Sequence, residues 1–209
     1  MATGDQRERA RLGRVESRAR IIAAATELIR ERGFAQLNVG EVMERAGIGR
    51  TLFYRHFDDL GDLLMKSSRE AIEALYANEL EIGAAVERPA PELVTSAIAP
   101  AVAIYRGHGP LLRALAEAAP GDERIAAAQE QVRARFDSLV ADVIGRLPHF
   151  AGRDADEVAE TARALNLLNT AYLQDAFGRE PRVSEDVAVR TLSGIWMAVI
   201  APGGPAVSS

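Results

Sequence analysis

Arg50, Thr51, Tyr54, Arg55 and His56 crowd one short stretch, interleaved with Leu52, Phe53 and Phe57. On a helix the three apolar residues take the inner side and the five polar ones face out. Guanidinium, hydroxyl, phenol and imidazole are donors suited to phosphate oxygens and base edges. A helix that met only solvent would carry Glu and Lys pairs instead. A second polar pair, Asn166 and Asn169, is spaced for one helix face among Leu165, Leu168, Tyr172 and Leu173. Amides among leucines need hydrogen-bond partners if buried. A ligand carbonyl or hydroxyl is one partner, neighbouring backbone another, and plain exposure removes the need.

Enzyme chemistry finds less support. His56, His108 and His149 are the only histidines, and none has the spacing of a metal ligand pair. There is no glycine-rich phosphate loop, serine nucleophile elbow or partnered carboxylate pair. With no cysteine, disulfides and thiolate chemistry are excluded. His108, between Gly107 and Gly109, reads as a loop residue. Neither a cofactor nor a metal is expected.

The elements that must position these residues follow from periodicity and breakers. NVGEVMERAGIGRTLFYRHF at 38–57 reads as two short helices about a glycine turn, a helix-turn-helix. Val39, Val42 and Met43 form the apolar side of the first. Ala46 is small where helices cross, and Gly47 turns without a Cβ penalty. A preceding helix runs from near Ser17 to Arg32, with Ile22, Ala25 and Ile29 on one stripe. Residues 5–14 hold Arg7, Arg9, Arg11 and Arg14 but no apolar face. They read as a flexible arm over 1–14, either a solvated tail or a source of added DNA contacts. A connecting helix is expected from Asp59 to about Ala85, then one from Pro91 ended by Gly107 and Gly109, and a short one at about 110–118. Longer ones follow at 122–146, 154–178 and 184–200, with 202–209 a disordered tail. No alternating pattern is long enough for a sheet, so the class is all-α, with about nine helices.

Charge is unevenly placed. The net charge is −5, yet residues 1–56 hold 11 Arg and 7 acidic residues, giving +4, and 57–209 hold 14 basic and 23 acidic, giving −9. The basic portion coincides with the donor-rich motif, and the remainder repels phosphate. That acidic body argues against a general coating of nucleic acid. No run approaches the roughly 18 apolar residues of a membrane span, and the N-terminus lacks a secretion signal's apolar core, so a cytoplasmic protein without membrane contact is expected.

Taken together, RARIIAAATELIRERGF at 18–34, AGIGRTLFYRHF at 46–57 and DLL at 62–64 resemble the DNA-binding domain of TetR-type transcriptional repressors. The resemblance implies contacts to an operator from Arg18, Asn38, Val39, Gly49, Arg50, Thr51, Tyr54, Arg55 and His56. Gly49 stands where relatives carry Ser or Thr, and it offers no hydroxyl to a phosphate. Leu60 replaces a usual Lys, which removes one phosphate contact. Farther along, ARALNLLNTAYLQDAFGREPRVSEDVAVRTLSGIW at 162–196 resembles the EthR-like branch. That branch implies a largely apolar channel lined by Tyr105, Phe136, Leu139, Val140, Asn166, Asn169, Tyr172, Leu173 and Trp196. Trp196, the only tryptophan, equally fits a core or an interface.

These readings converge on three units: the arm, a helix-turn-helix domain at 15–58, and a ligand-binding and dimerisation domain at 59–201. The expected function is a homodimeric repressor on a palindromic double-stranded operator, released by a small lipophilic effector. Val158, Ala162 and Leu165 with Val187, Leu192, Ile195 and Val199 recur at helical spacing and are the expected dimer face.

Overall fold

The computed structural model describes residues 2–84 and 88–201, among which there are helices and no strands. Eight α-helices follow in order: α1 Ala2–Arg32, α2 Val39–Ala46, α3 Leu60–Ser67, α4 Arg69–Ala84, α5 Ala90–Ala118, α6 Glu123–Gly145, α7 Ala155–Phe177 and α8 Glu185–Ile200. A six-residue 3₁₀ helix, Arg50–Arg55, lies between α2 and α3. The helices begin where short polar side chains accept the first free N–H groups. Asn38 caps α2, Asp59 caps α3, Asp122 caps α6, Asp154 caps α7 and Ser184 caps α8.

α1, α2 and the 3₁₀ helix close over Ile21, Ala25, Leu28, Val42, Met43, Phe53 and Phe57, all buried. This packing runs unbroken into the body through Leu63 and Leu64. α5 is the hub of the body, packed against α4, α7 and α8, while α6 lies along α7.

Three boundaries differ from the sequence expectation. α1 begins at Ala2, not near Ser17, so the segment expected as an arm continues the helix. Its Arg, Glu, Gln and Ala are strong helix formers, and periodicity alone could not register a helix that lacks an apolar face. The connecting helix is interrupted at Ser68 (φ −90°, ψ 0°), which divides it into α3 and α4. Finally, α5 is one 29-residue helix that carries Pro100 and Pro110 inside it. Gly107 and Gly109 do not end it, and His108 is therefore helical, not a loop residue. Gly109 is buried against the Phe177 carbonyl, where a Cβ would overlap backbone. The close crossing of α5 and α7 holds the helix together where the sequence reads as a break. The tail expected at 202–209 lies outside the described residues.

Candidate nucleic-acid interface and body cavity

The reader is built by one glycine and one arginine. Gly47 ends α2 in the left-handed region (φ 64°, ψ 36°), where other residues are strained. Arg20 of α1 donates to the Ala46 carbonyl at 2.6 Å and latches the turn to the first helix. From there Phe53 and Phe57 are driven inward, their rings 5.5 Å apart. Arg50, Thr51, Tyr54 and Arg55 are left exposed as one donor face.

The other expected contacts are placed differently. His56 is only partly exposed, its Nε2 2.9 Å from the Ser17 hydroxyl of α1. Burial, then the nearby charges of Arg18, Arg55, Arg14 and Lys66, lowers its pKa, so it is neutral at pH 7. Asn38 spends its side chain on the start of α2, accepting from the Glu41 N–H at 3.0 Å and donating to the Glu41 carboxylate. Glu41 in turn pairs with Arg32 at 2.8 Å. Val39 packs half-buried against the core. Arg18 lies 5.9 Å over the Phe57 ring. Gly49 is exposed with open space at its Cβ, so no steric demand excludes a larger residue there.

A cavity of about 370 Å³ lies between α3, α4, α5, α6 and α7, open to solvent on one side, where the exposed Leu167 and Thr170 border it. α6 contributes a stripe at helical spacing: Ile125, Ala128, Gln129, Val132, Arg133 and Phe136. Opposite stand Met65, Ile72 and Leu75 from α3 and α4. A smaller chamber of about 70 Å³ lies alongside, bordered by Val94, Val140 and Trp196. Asn78, Ala101, Phe136, Asn166 and Asn169 border both.

Of the residues expected in a channel, Tyr105, Phe136, Val140, Asn166, Asn169, Leu173 and Trp196 border these spaces. Leu139 and Tyr172 do not; Leu139 packs in a small cluster with Phe136, and Tyr172 lies under Arg182. The two asparagines already have partners. Asn166 donates to Asp137 at 2.9 Å, and Asn169 accepts from the Trp196 indole at 2.9 Å. Each therefore keeps half an amide, the Asn166 carbonyl and the Asn169 NH₂. Tyr105 is almost fully enclosed, and burial pushes its hydroxyl up to about 12, with the Thr170 hydroxyl offsetting part of this. It stays a phenol and a donor at neutral pH. The α3 and α4 lining, with Asn78, escaped the sequence reading because no motif marks it; its apolar spacing fits ordinary core equally well.

Four of the seven residues expected at a dimer face are placed otherwise: Val158, Ala162, Leu165 and Leu192 are buried within the subunit's own core. Ile195 and Val199 are partly covered, and Val187 is 38% exposed. The exposed stripe of α7 is Ala164, Leu167, Leu168 and Ala171, of which Leu167 also borders the cavity, and that of α8 is Val187, Thr191, Gly194 and Ala198.

Among the described residues no cluster of side chains is suited to a metal ion, and no helix is long and apolar enough to cross a membrane. A latched helix-turn-helix that presents arginine, threonine and tyrosine, carried by a helical body with a largely apolar cavity, defines a helix-turn-helix transcriptional regulator. Residues 21–64 match the family described as bacterial regulatory proteins, tetR family, and residues 94–201 match the C-terminal domain of the transcriptional regulator EthR. The chain belongs to the TetR family, with a C-terminal domain of EthR type.

The HTH-type transcriptional activator FasR of Mycolicibacterium smegmatis is 30% identical over 95 residues, 40% of this chain and 43% of that protein. An HTH-type regulator of Haemophilus influenzae is 43% identical over 54 residues, 26% of each. The chain thus spans less than half the length of these curated relatives. Among solved structures, a transcriptional regulator from Rhodococcus sp. Rha1 superposes with a TM-score of 0.69 at 20% identity, covering 91% of this chain and 99% of that one. FadR from Bacillus subtilis, in complex with stearoyl-CoA, superposes at 0.61 with 14% identity, covering 89% and 99%. These likenesses establish the shared fold.

Proposed function

We propose that this regulator is a homodimeric repressor that a mostly apolar small molecule releases from a palindromic operator. One observation carries the reading. The helices that leave the reader at Asp59, α3 and α4, also line the cavity with Met65, Ile72, Leu75 and Asn78. A molecule that fills the cavity bears on the segment that sets the reader's angle. For release it must bind more tightly to the subunit whose readers no longer fit successive grooves. The lining suits an elongated apolar ligand whose polar atoms meet Tyr105, the free NH₂ of Asn169 or the free carbonyl of Asn166. The stearoyl-CoA held by FadR, a protein of the same fold, is consistent with such a chain.

Dimerisation is assigned to the outer stripes of α7 and α8, where Ala171, Thr191, Gly194 and Ala198 are small enough for close helix approach. The test is a titration of straight-chain acids, alcohols, amides and acyl-CoAs against the protein on its own promoter DNA, read by DNA release and by Trp196 fluorescence. Release accompanied by a change in indole emission is expected. Sequence-selective DNA binding that none of these probes disturbs, with emission unchanged, overturns ligand control and leaves a DNA-binding regulator.

A further inference from the structure

Two helix caps meet at the boundary between reader and body. Asp59 caps α3, directly after the reader, and Asp122 caps α6, the outer wall of the cavity. The Arg124 guanidinium bridges them, with Nη2 2.8 Å from Asp59 Oδ2 and 2.6 Å from Asp122 Oδ2, and Nε 3.0 Å from Asp122 Oδ1. A planar fork with several donors holds two carboxylates at once in a way an ammonium does not. Gly61 makes the approach possible, because a Cβ there would overlap the Asp122 carboxylate. The pKa of both acids is lowered, that of Asp122 chiefly by Arg124 and that of Asp59 first by the Asp62 N–H that it caps and then by Arg124.

The clasp sits one residue from the cavity. Ile125, the neighbour of Arg124, is fully buried and lines it. Asp59 is two residues from Phe57, whose ring packs on Phe53 beneath the exposed donors. The N-terminal half of α6 stands across the cavity from α3 and α4, and α6 is joined to α4 by the Arg135 pair with Glu79 at 2.8 Å. Arg124 is thus the side chain that links the wall at Ile125 and Ala128 to the reader's exit at Asp59.

We propose that Arg124 is a positioning residue that couples the cavity wall to the DNA reader by holding Asp59. The inference rests on the ligand-control reading and assigns it a residue. Both Asp59 and Arg124 are about half exposed, and ion pairs of this kind add little to fold stability. Loss of the clasp is thus expected to impair coupling while the melting temperature stays near that of the wild type.

The experiment replaces the unidentified ligand with a built-in occupant. Ala128→Trp fills the cavity from α6, and Ala101→Phe fills it independently from α5. The chain has no cysteine, so spin labels at Thr51→Cys and Glu180→Cys report the reader's position against the body, diluted with unlabelled protein. Either occupant is expected to shift the distance. Arg124→Met should remove most of that shift, Arg124→Lys should restore part of it, and Asp59→Asn, which keeps the cap, should behave as Arg124→Met does. A shift that survives Arg124→Met overturns the role of Arg124 and leaves ligand control standing. No shift with either folded occupant overturns ligand control and the coupling with it.

Discussion

Tyr54 is 63% exposed although its neighbour Phe53 is completely buried, the two rings 5.2 Å apart edge to face. A tyrosine has only two side-chain torsions to fix, so ordering it on binding costs little entropy, which suits a phosphate contact. Arg50→Ala is expected to weaken operator binding and relax base preference by roughly 1–3 kcal/mol if the guanidinium reads a guanine. Tyr54→Ala should weaken all sequences alike. Mobility-shift titrations on matched and mismatched duplexes separate the two, and unchanged affinity in the folded double variant rejects this face. His56 makes a different prediction. Its pKa is lowered in the fold, so below its unfolded value near 6.5 the unfolded chain binds the extra proton first. Stability therefore falls as pH drops from 7 towards 5. The carboxylates held low by Arg45, Arg124 and Arg133 titrate below this window. His56→Gln should flatten the slope of denaturation midpoint against pH, and an unaltered slope assigns it to other groups.

At the scale of elements, the crossing of α5 and α7 is the tightest helix contact that a glycine permits here. Gly109→Ala places a methyl group against the Phe177 carbonyl, and overpacking of this kind costs about 1–3 kcal/mol. The helix propensity gain of alanine, roughly 1 kcal/mol, does not offset it. Gly107→Ala, with open space at its Cβ, gains that propensity without the clash. Thermal melts of the two variants should therefore move in opposite directions. Equal shifts would show that α5 and α7 do not cross so closely.

For the whole molecule, burial separates folding from assembly. Leu192→Asp puts a charge into the subunit's own core and should unfold it. Leu168→Asp and Gly194→Arg change only outer positions of α7 and α8 and should yield folded monomers. Light scattering with circular dichroism distinguishes the outcomes. A folded dimer in both outer variants moves the interface away from these two helices.

How much was legible in the chain divides along the range of the forces involved. The helix-turn-helix could be read from residues 38–57 because its determinants are local: the Asn38 cap, Gly47 at the turn, and an aromatic face three to four residues apart. The all-α class and the bounds of α6, α7 and α8 followed from caps and breakers a few residues away. What the chain alone could not decide depended on partners distant in sequence. Whether Gly109 ends a helix depends on Phe177, and whether His56 faces DNA depends on Ser17. Leu192 proved to be core because α8 packs on α5, a fact that helical spacing does not contain. Spacing names the residues that share a helix face, and only the packed neighbour decides whether that face meets core, cavity or solvent.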